Sequence, residues 1–216
     1  MGTDPKIVGT VPGFVGTGPC MALELPAYGS IFVVFRSQQA ATLPGGDSSV
    51  LRSRGSATLP GPWSVVFDPA WGGPAASVIF DSLVDWTTRP EPGIRHYSGT
   101  ATYRTTFDAP PEWKKGMPVQ IDLGRVENVA TVFVNGKLSG TAWTAPFAVT
   151  ATNVKEKGNE LEVRVTNLWP NRLIYDAGLP EAERLTRTNI NPYKPTDPLL
   201  PSGLLGPVRI SVISQP

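Results

Sequence analysis

From Trp63 onward, apolar and polar positions alternate with the two-residue period of half-buried strands. Residues 98–107 put Ala101, Tyr103, Thr105 and Phe107 on one face and Thr100, Thr102, Arg104 and Thr106 on the other. Residues 160–166 repeat the scheme, with Leu161, Val163 and Val165 opposed to Glu160, Glu162 and Arg164. Residues 119–123 alternate as well. Residues 129–134 run into Asn135-Gly136, the dipeptide best suited to a type I′ hairpin turn because both central positions need positive φ; 137–141 return from it. Shorter strands are predicted at 63–67, 77–80, 147–152 and 208–213. Helical periodicity is almost absent; Pro180-Glu-Ala-Glu-Arg184 suggests a single turn with proline at its start.

Upstream, Leu23-Glu-Leu25 and Ser30-Ile-Phe-Val-Val-Phe-Arg36 read as two strands around a turn, the second apolar on both faces. Residues 37–60 are rich in Gln, Ala, Ser, Gly, Pro and Arg and read as a linker. The expected organisation is an N-terminal β segment over 1–36, a remnant of a preceding domain, then a linker over 37–60 and a sandwich over 61–216. Eight or more strands with regular turns and one-sided alternation predict an all-β, jelly-roll β-sandwich.

Composition narrows the class further. The 216 residues carry 19 basic and 18 acidic side chains with no basic run, which disfavours nucleic acid and anionic membranes as partners. The chain has no 18-residue apolar stretch, so no membrane-spanning helix is expected. The start, Met1-Gly-Thr-Asp-Pro-Lys6, lacks the pattern of a signal peptide, leaving a cytoplasmic chain or one whose natural start is not represented. A lone cysteine, Cys20, excludes an internal disulfide, and a lone histidine, His96, excludes a His-paired zinc site.

The densest chemistry lies in Asn167-Leu-Trp-Pro-Asn-Arg-Leu173 and Thr188-Asn-Ile-Asn-Pro-Tyr-Lys194, read as loops. Amides and arginine bond to hydroxyls, and aromatic faces cover the C–H faces of a pyranose. Trp143, Trp169, Asn171, Arg172, Asn189, Asn191 and Tyr193 are therefore the candidate ligand-binding residues. The alternative for the same residues is structural: Trp as a core plug, Asn bonding its own turn, and Arg172 paired with Asp176 or Glu181.

These motifs also carry a resemblance. Tyr97-Ser-Gly-Thr-Ala-Thr-Tyr-Arg-Thr-Thr-Phe107, Ile121-Asp-Leu-Gly-Arg-Val126, Val132-Phe-Val-Asn-Gly136 and Trp143-Thr-Ala-Pro-Phe147 resemble the galactose-binding-like sandwich of family 2 glycoside hydrolases. Asn167-Leu-Trp-Pro-Asn-Arg172, Leu179-Pro, Thr188-Asn-Ile-Asn-Pro-Tyr193 and Leu200-Pro-Ser-Gly-Leu-Leu-Gly-Pro207 look more like the C-terminal end of family 106 α-L-rhamnosidases. In that family an upstream barrel carries the catalytic glutamates and a calcium, and this chain has no βαβ pattern for one. The resemblance thus implies an accessory sandwich associated with plant cell-wall or rhamnose-containing glycans, and a periplasmic or extracellular setting. No cofactor is implied; a structural calcium, which sandwiches of this class often hold, is compatible with the loops but specified by no acidic cluster.

Three readings follow. The first is a non-catalytic carbohydrate-binding or accessory module. The second is a small self-sufficient glycoside hydrolase, which needs two carboxylates about 5–9.5 Å apart; weak candidates are Asp176, Glu181 and Glu183, or Asp81, Asp85 and Glu91 around Trp86. His96, with Ser98 nearby, is expected to be a half-exposed strand-edge residue rather than a general base, because the pair faces no nucleophile elbow. The third is a structural interdomain module without ligand, whose exposed former interface over 21–36 or 61–80 would support a homodimer.

Overall fold

The computed structural model describes residues 52–214, whose strands form an all-β sandwich. One sheet has six strands in the order β3 (Val78–Phe80), β2 (Trp63–Val66), β4 (Thr100–Phe107), β10 (Asn159–Thr166), β7 (Val129–Val134) and β8 (Lys137–Ala142). The other has four, β1 (Arg52–Thr58), β12 (Arg209–Ser214), β5 (Val119–Asp122) and β9 (Ala148–Ala151), and a short ladder joins β6 (Arg125–Glu127) to β11 (Gly203–Gly206). Two helices, α1 (Pro92–Arg95) and α2 (Pro170–Ala177), lie in the connections, with 3-10 turns at Pro69–Trp71, Trp86–Thr88 and Glu181–Glu183. Among the described residues no helix is long and apolar enough to cross a membrane.

The alternation read from the sequence is the alternation of burial. In β10, Leu161, Val163 and Val165 are buried and Glu160 and Arg164 are not, because successive side chains leave a strand on opposite faces. The inward residues of both sheets share one core. At one flank it is aromatic: Phe67 meets Trp86 and Tyr97 edge-on at 5.3 and 5.0 Å, and Tyr103 meets Trp63 edge-on at 6.3 Å. The buried Tyr103 hydroxyl accepts hydrogen bonds from the Trp86 indole and the Leu204 amide, satisfying both donors and tying β4 to β11. Asn135 and Gly136 take φ of 49° and 74°, as the type I′ turn requires.

Several expectations change. Residues 52–58, assigned to the linker, form β1 at the edge of the four-stranded sheet. Backbone pairing, rather than apolar alternation, makes that strand, so its Arg/Ser/Gly composition hid it. Both β6 and β11 were also missed; each is short, and β11 begins and ends with glycine. The largest correction is α2, which occupies a stretch read as loop. The two N-terminal strands, linker residues 37–51 and Cys20 lie outside the described residues.

Candidate functional site

The polar motif after β10 is built inward, around α2. Proline at its first position presets the helical φ and removes one amide that would lack a partner. Trp169, at the cap position, makes no side-chain capping bond. That job falls to Ser98, far away in sequence: its hydroxyl accepts from the Arg172 amide at 3.1 Å and donates to the Trp169 carbonyl at 3.3 Å. Ser98, the neighbour that had invited a catalytic reading with His96, is thus a capping group.

Beneath the helix start, three side chains form a closed network. The Asn167 amide donates to the Tyr97 carbonyl and to Ser202 Oγ, while its oxygen accepts from the Gly99 amide. The Asn171 amide donates to the Leu200 carbonyl at 2.7 Å and to Ser202 Oγ at 3.0 Å, and its oxygen accepts from the Leu200 amide at 2.8 Å. Both N–H groups of Asn171 are committed, and the residue is 1% exposed. It ties the Leu200 segment to α2.

Arg172 is likewise internal. Its Nη2 lies 2.7 Å from Asp176 Oδ1, one turn along the helix, and both side chains are buried. Asp176 Oδ2 accepts from the Thr186 amide and hydroxyl at 2.7 and 2.6 Å. Burial by itself would raise the Asp176 pKa, but the Thr186 donors and the guanidinium outweigh it and hold the carboxyl below its usual range. The guanidinium also lies 5.1 Å from the Tyr175 ring centroid, and His96 stacks on that same ring at 4.5 Å. His96 sits at the C-cap of α1, not at a strand edge, with Nδ1 3.2 Å from the Pro92 carbonyl. Burial lowers its pKa, assisted by the Arg95 and Arg172 charges and opposed by that carbonyl.

What the 167–173 stretch leaves outside is apolar. Trp169 is 50% exposed and meets Trp71 edge-on at 5.2 Å; Leu168 and Leu200 are also exposed. The β7–β8 register pairs Ala130 with Ala142, and the β10–β7 register pairs Thr166 with Val129. Trp143 therefore leaves β8 at the same end of the sandwich as Asn167, and it is 73% exposed. Of the other ligand candidates, Asn189 and Asn191 are exposed and Tyr193 half-buried. Asn191 donates to the Leu173 carbonyl and accepts from the Tyr193 amide, so this segment runs along α2. A cleft of about 130 Å³ opens at the same end, lined by Glu127, Asn128, Leu168, Asn171 and Leu200 among others. Trp71, Leu168 and Leu200 were not singled out from the sequence; the tryptophan in a Gly/Pro-rich turn was the available signal.

Three of the candidate acids, Asp176, Asp85 and Glu91, are engaged in structural contacts. Asp176 is locked on Arg172 and Thr186, whereas Glu181 and Glu183 lie exposed on a single 3-10 turn. Asp85 caps the Trp86–Thr88 turn and accepts from the Ser202 amide, and Glu91 pairs with Arg89 at 2.7 Å. Among the described residues, no three His, Cys, Asp or Glu side chains group as a metal site.

No family model matches this chain. A protein of Formosa agariphila bearing the name "Putative beta-glucuronidase" is 40% identical over 163 residues, which is 64% of this chain and 14% of that protein. The rhamnosidase of Novosphingobium sp. PP1Y superposes with a TM-score of 0.66 at 38% identity, over 82% of this chain and 16% of that one. The β-glucuronidase of Ruminococcus gnavus shares the fold, with a TM-score of 0.54 at 22% identity over 74% of this chain and 29% of that one. The chain spans about a sixth or less of the two relatives it matches at 38–40% identity, and its homologues are glycoside hydrolase-related proteins.

Proposed function

We propose that this chain is a non-catalytic, carbohydrate-associated β-sandwich of an α-L-rhamnosidase-like glycoside hydrolase. The observation that carries the reading is the division of labour around α2. The amides and charges of the motif hold the fold together, while Trp143, Trp169, Leu168 and Leu200 face outward at one end. Aromatic and apolar faces with few free polar groups suit weak contact with the C–H faces of a sugar. Asn189, Asn191 and Tyr193 run alongside and supply the hydrogen-bonding edge.

The test is direct. The purified chain should release no chromophore from aryl rhamnoside, glucoside or galactoside, and turnover that survives Asp176→Asn and Glu181→Gln would point to an enzyme using other residues. Tryptophan fluorescence should respond to rhamnose-containing oligosaccharides at millimolar concentration, and Trp169→Ala should abolish the response. No response at saturating sugar would defeat the binding part of the proposal.

The same apolar end favours a second reading, in which it packs against another domain and binds no ligand. Exposed Leu168, Leu200 and Ile190 motivate it. Concentration-dependent self-association by light scattering, relieved by Leu168→Ser, is then expected; a strict monomer would count against it.

A further inference from the structure

The outer face of the six-stranded sheet, away from the α2 end, carries a shallow groove of about 530 Å³. At its centre, on adjacent strands β4 and β10, two arginines share one carboxylate. Arg104 Nε donates to Glu162 Oε2 at 2.8 Å and Arg164 Nε to Oε1 at 2.7 Å. Each arginine thus engages Glu162 through Nε, and among the described residues their Nη groups have no other hydrogen-bond partner. Both side chains remain about half exposed. Arg164 is held further by lying over the Phe133 ring, 4.5 Å from its centroid.

Such an arrangement differs from two mobile surface cations. The shared carboxylate and the ring fix both guanidinium planes before any ligand arrives, so little side-chain freedom is left to lose on binding. Free Nη edges on either side of Glu162 are suited to a planar or tetrahedral oxyanion. The lining is nevertheless mixed in sign: Glu160 and Glu162 balance the two arginines, and Thr106 adds a hydroxyl. A dense polyanion would meet both glutamates without compensation. A ligand that mixes carboxylate with hydroxyl groups satisfies every member, its acid on the guanidiniums and its hydroxyls donating to the glutamates.

We propose that this groove binds a uronic-acid-containing oligosaccharide, with Arg104 and Arg164 taking its carboxylate and Glu160 its hydroxyls. This goes beyond the accessory role proposed above and uses a different face, so either can fail without the other.

The experiment is calorimetric titration of the full chain with a galacturonate tetramer, using the neutral galactose tetramer and inorganic sulfate as comparisons. The acidic tetramer should bind at least tenfold more tightly than the neutral one, and weaken as salt rises from about 50 to 500 mM. Arg104→Ala and Arg164→Ala should each cost about tenfold with an unchanged circular dichroism spectrum. Replacing Glu162 by Gln should weaken binding several-fold, since the carboxylate that holds both guanidinium planes is lost; non-specific attraction of an anion, which gains from the lost negative charge, would give the opposite sign. Trp169→Ala should leave this titration unaltered. Equal binding of the two tetramers, binding indifferent to the arginine variants, or no saturation at millimolar tetramer would overturn the assignment. Sulfate binding as tightly as the tetramer would overturn the ligand class.

Discussion

Arg172 and Asp176 face each other at 2.7 Å inside the protein, one helical turn apart. The order is the less favourable one for an isolated helix, with the cation nearer the N-terminus and the acid near the C-terminus. The pair therefore belongs to the tertiary structure: Thr186 anchors the acid, and Tyr175 supports the guanidinium. Asp176→Ala leaves a buried guanidinium without its counter-charge and should cost about 3–5 kcal/mol in urea unfolding. Replacing both residues by Leu should cost less than that single change, because no buried charge is then left alone.

The same carboxyl predicts a pH dependence. The Asp176 pKa is lower in the folded protein than its ordinary 3.8. Its contribution is therefore fully present above that value and disappears as the pH falls through the folded pKa. Unfolding free energies measured between about pH 5 and pH 2 should fall less steeply in Asp176→Asn than in the parent. Parallel slopes would show that the group is not perturbed.

Ser98 closes the N-terminus of α2 from 74 positions away in sequence. Ser98→Ala should cost about 1–2 kcal/mol and leave the sandwich intact. Amide hydrogen exchange should accelerate at Asn171–Leu173 while β4 and β10 stay protected.

Gly203 has φ of +105°, and a Cβ there would lie 2.5 Å from the Trp86 indole nitrogen. Gly203→Ala should destabilise by roughly 3 kcal/mol, combining backbone strain with overpacking. A thermal unfolding midpoint within a degree of the parent would refute this account.

Much of the sandwich was legible, for a simple reason. The side chains of Leu161, Val163 and Val165 point one way because the strand backbone makes them, whatever they pack against. Helix α2 was not legible because its buried positions include Asn171, Arg172 and Asp176, which carry no apolar stripe. Proline at its start, glycine after its end and a charge pair four residues apart were the available cues. Strand β1 escaped because an edge strand held by backbone pairing needs no hydrophobic pattern.

The candidate site divides along the same line. The sequence by itself determined that amides, aromatics and charges crowd residues 167–194, and that the chain carries both the alternation and the Asn-Gly turn of a sandwich. Which of those side chains meet solvent was decided by the tertiary structure. Partners such as Thr186 and Leu200, 10 and 29 positions away, turn Asp176 and Asn171 inward, whereas Trp143 and Trp169 stay outside. A polar side chain buries itself where folding brings it a complementary group, and that meeting is a property of the folded chain rather than of the local sequence.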